Sequence, residues 1–224
     1  MGKSKKTKKV NQKNIQPDKS SFKLYAGAGI LIVAIAVGII ALVMSQQNEA
    51  PDAIESQQVV SADVHIKGNP DAPNQLTKYS DFGCVHCANQ HVLLKEFFEE
   101  HGDNFSLQIM HFPINNNALS RMAIAAALSA GRQGQYWEMV DLIYANPTQW
   151  RSDPQSAFIS FVDELGLDRD QFVADMNDED MAYKIVQDYF EFRDMGINAT
   201  PTLFLNGERV PNPRTLDQLK STIL

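Results

Sequence analysis

The sequence predicts an α/β chain: an open sheet interrupted by a helical insertion, carried behind one N-terminal transmembrane helix. Three observations predict it. Residues 24–44 run without a charge, segments of strand character stand on either side of a long stretch with helical periodicity, and the two cysteines of the 224-residue chain stand three apart at an expected helix start.

The formal charge of −7 joins unlike parts, because residues 1–23 hold eight lysines against the single acid Asp18 (+7) and the remainder carries −14. An acidic body argues against a nucleic-acid partner, and a basic head beside an apolar run suits a membrane surface. Leu24 to Met44 are 21 uncharged residues, mostly Ile, Val, Leu, Ala and Gly. At about 1.5 Å per helical residue they reach roughly 30 Å, the depth of a bilayer core. The apolar part of a signal peptide is roughly 7 to 15 residues and ends in a small-x-small site. Met44-Ser45-Gln46-Gln47 is not such a site, so an uncleaved anchor is expected. Lysines collect on the cytoplasmic side of a span. Residues 1–23 are therefore expected as a cytoplasmic head, and everything beyond about 45 as extracytoplasmic in a single-pass arrangement. Residues 45–62 are polar and read as a flexible tether, which leaves 63–224 as the exported domain.

Within that domain His65 to Pro73, dense in Gly, Asn, Asp and Pro, predicts a turn. A strand is expected near Leu76 to Phe82. Cys84 to His101 shows helical spacing through Val92, Leu93, Phe97 and Phe98, with Gly102 as its stop. Ser106 to Phe112 is a second strand, ended by Pro113. Four segments (118–131, 135–145, 154–166 and 178–196), punctuated by Gly131, Pro147, Gly166 and Gly196, predict the insertion at about 115–195. Thr202 to Leu205 and Glu208 to Val210 flank Asn206-Gly207, the signature of a type I′ hairpin. A last helix is expected from about Pro213 to Leu224.

The cysteines stand as Cys84-Val85-His86-Cys87. Haem attachment needs His directly after the second Cys, where Ala88 stands. Zinc needs about four ligands, and there is no second C-x-x-C, although His65, His86, His91, His101 and His111 offer nitrogens. A structural disulfide closing so short a loop would stabilise by under roughly 2 kcal/mol in loop entropy. Redox chemistry fits best. A thiol at a helix N-terminus meets free amides and the helix dipole, which favour the attacking thiolate. Cys84 at the tip is then the nucleophile, and Cys87 one turn in resolves the mixed disulfide. Protonated His86 would add a second positive influence on Cys84; otherwise it is a solvated residue of the first turn.

The stretches GNPDAPNQLTKYSDFGCVHC (68–87), FPINNNALSRMAIAAALSAGRQGQYWEMVDLIYAN (112–146), LGLD (165–168) and GINATPTLFLNGERV (196–210) resemble DsbA-like proteins of the thioredoxin superfamily. The resemblance implies a thioredoxin fold with an inserted helical domain. It implies Cys84 and Cys87 as the redox pair, needing no cofactor beyond their own disulfide, and matches His86 to the histidine of the Cys-Pro-His-Cys form. Val85 departs from the proline usual there. Thr200-Pro201 matches the threonine and cis-proline that face the cysteines, where an extended substrate could pair as an added strand. Phe82 and Val85 could add an apolar rim, or simply pack.

Six residues before the first cysteine the superfamily often places a buried Asp or Glu, and here Lys78 stands. If register is kept, Leu76, Lys78, Ser80 and Phe82 share one strand face and Lys78 points at the underside of the pair. Otherwise the strand is partly exposed, or slipped by one, and Lys78 snorkels to water. The resemblance implies an oxidase of exported proteins, reoxidised by a membrane partner of the quinone-linked DsbB or vitamin-K-epoxide-reductase kind. The alternatives are a reductase or isomerase kept reduced by a membrane electron donor, and a peptide-binding, chaperone-like module with an inert disulfide.

Overall fold

The computed structural model describes residues 65–224; the expected head (1–23), anchor (24–44) and tether (45–62) lie outside the described residues. Among those described, no helix is long and apolar enough to cross a membrane.

The chain lays down β1 (Ile66–Gly68), β2 (Asn74–Ser80), α1 (Val85–His101) and β3 (Phe105–His111). Six helices follow: α2 (Ala118–Gly131), α3 (Tyr136–Ala145), α4 (Pro147–Ser152), α5 (Pro154–Leu165), α6 (Arg169–Met176) and α7 (Glu179–Asp194). The hairpin β4 (Thr202–Leu205) and β5 (Glu208–Val210) and the helix α8 (Leu216–Ile223) close the fold. The sheet order is β1-β3-β2-β4-β5. Parallel strands need a crossover, and α1 supplies it between β2 and β3, which pair in register from Asn74 opposite Phe105 to Ser80 opposite His111.

β2 lies at the centre of the sheet and is covered on both faces. On one, Leu76, Leu107 and Leu203 pack against Leu94 and Phe97 of α1 and Leu219 of α8. On the other, Tyr79 and Phe204 pack against Tyr189 and Phe192 of α7. The insertion has its own core, around Ala126, Val140, Trp150, Phe161 and Val162, which runs on to Phe82, Cys87 and Ile109. The second cysteine therefore lies where the insertion meets the sheet.

Side-chain caps hold most insertion helices: Asn117 accepts from Ser120 N, Asp153 from Ser156 N, Asp168 from Gln171 N and Asp178 from Met181 N. Such caps are worth about 1 kcal/mol each. α1 has none, because its N-cap residue is Cys84, and its first amides are left for chemistry.

The expected hairpin forms, with Asn206 (φ 51°) and Gly207 (φ 83°) both left-handed as a type I′ turn requires. Elsewhere the elements shift. β1 occupies what the sequence predicts as turn, and α4 and α6 join the four expected insertion helices. The last helix starts at Leu216, on the cap Thr215, rather than at Pro213. β2 ends at Ser80, so Phe82 belongs to the turn before α1. Its ring is buried against His111 and Tyr144, which corrects its expected place on a substrate rim.

Candidate active site

The turn that delivers Cys84 is fixed by its own residues and by the insertion. Asp81 Oδ1 accepts from Gly83 N at 2.6 Å and Oδ2 from Ile114 N at 2.8 Å, while Cys84 N donates to the Asp81 carbonyl at 3.1 Å. Arg151 of α4 donates to the Gly83 carbonyl at 2.7 Å. Residue 83 must be small, since a Cβ there would lie 2.9 Å from Ser120 Oγ and 3.1 Å from Asp81 Oδ1.

Both cysteines are free thiols in this structure, and they sit in unlike surroundings. Cys84 is partly exposed at the head of α1, whereas Cys87 is fully buried. The Cys87 thiol donates to Cys84 Sγ and, with the backbone N–H groups of Cys87 and His86, holds the Cys84 pKa at about 5 against the opposing effect of burial. Cys84 Sγ also lies 3.5 Å from the Thr200 carbonyl oxygen. A carbonyl accepts from S–H but offers nothing to a thiolate, whereas the Thr200 side chain adds a hydrogen bond that favours the thiolate. Burial, and then the neighbouring Cys84, push the Cys87 thiol well above its ordinary value, with Lys78 pulling the other way. The pair is thus divided into a partly exposed thiolate and a buried, protected thiol.

Lys78 is 0% exposed. Its ammonium donates to the Cys87 carbonyl at 3.0 Å and lies 5.3 Å from the centroid of the Tyr144 ring. The register expected for β2 therefore holds, and the exposed or slipped alternative does not. Burial lowers the lysine's pKa to about 8, and Coulomb attraction to Cys87 and Cys84 resists the drop.

The Thr200-Pro201 bond is cis. Thr202 Oγ1 donates to the Ala199 carbonyl at 2.9 Å and Asn212 Nδ2 to the Pro201 carbonyl at 2.6 Å, holding this loop beside Cys84. Val85 is 64% exposed next to it. The His86 side chain is exposed too, and the part of His86 that touches the site is its backbone amide. Charge reaching Cys84 from the imidazole through water is screened, so His86→Ser should raise the Cys84 pKa by only a few tenths, about 0.5 kcal/mol at most. Alkylation rates against pH check this; a shift of a full unit would mean that the ring turns inward onto the sulfur.

Several groups at the site carry no signal in the linear sequence. Tyr144 Oη and Ser80 Oγ, 64 residues apart, meet at 2.7 Å below Cys87. His91 Nε2 lies 2.6 Å from Asp141 Oδ1, and Lys95 adds a 2.5 Å contact to the same carboxylate. Asp81 alone was open to such a reading, because Asp-x-Gly before a helix is an Asx-turn pattern. Among the described residues there is no cluster of three or more His, Cys, Asp or Glu side chains that could hold a metal ion.

A family model described as thioredoxin matches residues 61–224. The chain is 28% identical over 161 residues to the Na(+)/H(+) antiporter NhaA 3 of Salinispora tropica, a match covering 71% of this chain and 24% of that protein. It is 30% identical over 154 residues to the Na(+)/H(+) antiporter NhaA 1 of Mycolicibacterium gilvum, covering 66% and 24%. The chain thus spans about a quarter of the length of these curated relatives. Among solved structures it is similar to a thioredoxin-like oxidoreductase from Silicibacter pomeroyi (TM-score 0.60, 23% identity, 72% of this chain and 90% of that one). It is also similar to α-DsbA1 from Wolbachia pipientis (0.63, 20%, 72% and 89%) and to oxidised BdbD from Bacillus subtilis (0.57, 16%, 70% and 88%). At these identities the likeness to solved structures is one of fold.

Proposed function

The chain belongs to the thioredoxin family, and on that premise we propose that it is an extracytoplasmic thiol-disulfide oxidoreductase, held to the membrane by residues 24–44, that oxidises exported proteins with a Cys84-Cys87 disulfide. The observation that carries this reading is the asymmetry of the pair: Cys84 on the open amides of α1 with a pKa of about 5, and Cys87 buried above the Lys78 ammonium. A site that stabilises a thiolate stabilises the reduced form, and so makes the disulfide a stronger oxidant.

In the cycle a substrate thiolate attacks Cys84 Sγ, the Cys84–Cys87 bond breaks, and Cys87 leaves with the electron pair and takes up a proton. A second substrate thiolate attacks the substrate sulfur of the mixed disulfide. Cys84 then departs readily, because a sulfur with a low pKa is a good leaving group. The substrate has lost two electrons and the pair has gained them. Cys84 thiolate then attacks a disulfide of a membrane partner, of the DsbB-like or vitamin-K-epoxide-reductase-like kind, and Cys87 resolves that mixed disulfide. Thr200-Pro201 supplies the edge along which an extended substrate lies, with Val85 as an apolar contact.

One labelling experiment tests side and direction together. In spheroplasts, a membrane-impermeant maleimide should leave the chain unlabelled until an external dithiol is added, and then modify Cys84. Labelling without the dithiol would mean that the pair is kept reduced and works as a reductase or isomerase. Labelling only after lysis would place the domain inside the cell.

A further inference from the structure

Cys87 must give up a proton each time it attacks Cys84, yet it is 0% exposed. Three side chains close over it from below: Lys78 and Ser80 of β2, and Tyr144 of α3 in the insertion. Ser80 and Tyr144 are both buried, with their hydroxyl oxygens 2.7 Å apart. Ser80 also hydrogen-bonds the Cys87 sulfur, an interaction that favours its thiolate. Among the described residues, Ser80 is the one hydrogen-bond partner of the Tyr144 hydroxyl. Either hydroxyl can donate in that bond; a phenol is the stronger acid, which favours the order Tyr144 to Ser80 to Cys87 Sγ. Donors in series polarise one another, so the second bond is strengthened by the first. The Tyr144 ring is clamped between Phe82 and His91, each with centroids 4.9 Å away, and the Lys78 ammonium lies 5.3 Å from its centroid. These neighbours pack around the ring whose hydroxyl meets Ser80.

We propose that Tyr144 is a positioning residue for the resolving step: the insertion reaches under the cysteine pair and, through Ser80, holds a hydroxyl hydrogen on the buried Cys87 sulfur. The arrangement stabilises the Cys87 thiolate at the moment of attack, when Cys84 is bound in a mixed disulfide and no longer draws on the Cys87 proton. Removing either hydroxyl leaves Cys87 harder to ionise, and resolution then needs a higher pH. The inference rests on Cys87 being the resolving thiol and is indifferent to whether the protein works as oxidase or reductase.

The test loads the full chain, in detergent, with glutathione on Cys84 and follows release of glutathione against pH. Cys87 thiolate bonds to Cys84 Sγ, the Cys84–glutathione bond breaks, and the electron pair leaves on the glutathione sulfur. The proton lost by Cys87 is balanced by the one glutathione takes up from solvent. Tyr144→Phe keeps the ring and removes only the hydroxyl; it should raise the pH of half-maximal release by about half a unit to one unit, the scale of one ordinary hydrogen bond. Ser80→Ala should raise it similarly, and Tyr144→Phe added to Ser80→Ala should raise it no further, since Tyr144 acts through Ser80. A merely structural role would lower the melting temperature and leave the pH profile in place. An unmoved profile in Ser80→Ala, or additive shifts in the double variant, would overturn the proposal. Wild-type chain that releases no glutathione at any pH would instead sink the family reading of Cys87, and the proposal with it.

Discussion

Replacing Cys87 with alanine should leave a protein that attacks its partners and cannot let them go. Cys84 loses the hydrogen bond from the Cys87 thiol, which raises its pKa, but it keeps its place at the head of α1 with the His86 amide among its neighbours, so its sulfur stays nucleophilic. What is lost is an intramolecular attacker. Well-oriented intramolecular reactions have effective molarities on the order of 10⁵ M or more, whereas external thiols are available at about millimolar concentrations. Resolution should slow by at least about a thousandfold even after allowing generously for imperfect geometry. Mixed disulfides with substrate proteins should then accumulate, visible as dithiol-sensitive high-mass bands on non-reducing gels, and their mass spectra would identify the substrates. Cys84→Ala should give no such bands, because the remaining sulfur is fully buried. Equal trapping by the two variants would contradict the division of labour between the thiols.

Features that one stretch of sequence specifies by itself were legible. The Asn206-Gly207 turn is fixed by which residues tolerate positive φ, and the extent of α1 follows from helical spacing and a stop at Gly102. The Lys78 side was legible too, because strand alternation places it with Leu76 and Ser80. Whether its charge reached water was not, since that depends on what covers the strand. Tyr144, which covers it, lies 64 residues from Ser80 in the chain. β1 escaped because three residues paired along one edge of β3 leave no alternation to read. Phe82 was misplaced for a related reason: the strand pattern continues past Ser80, but Asp81, bonded to Gly83 and Ile114, ends the strand and turns the aromatic ring into the insertion core.

Lys78→Met should make the protein more stable and a weaker oxidant at once. The lysine pKa falls from 10.5 in an unfolded chain to about 8 in the fold, with burial as the main cause. Between those values the unfolded chain binds more protons than the folded one, so stability rises with pH from about 8 to 10.5. Below pH 8 the penalty of burying the ammonium is fully present, and above 10.5 it is gone. At about 1.4 kcal/mol per unit the penalty is roughly 3 kcal/mol at neutral pH. Losing the hydrogen bond to the Cys87 carbonyl gives back about 1 kcal/mol, so the variant should gain about 2 kcal/mol in denaturant unfolding at pH 7 and lose the rise above pH 8. The same ammonium favours the thiolates of the reduced pair, and in the disulfide it faces no charge. Its removal should raise the Cys84 pKa by about one unit and lower the reduction potential by about 30 mV. A carboxylate under the pair would have the opposite sign, repelling the thiolate that Lys78 attracts. A variant that gains stability while the Cys84 pKa and the potential stay put would detach Lys78 from redox chemistry. A variant that moves both would mean that a charge unfavourable to folding is held under the cysteines because it sets the oxidising strength of the pair.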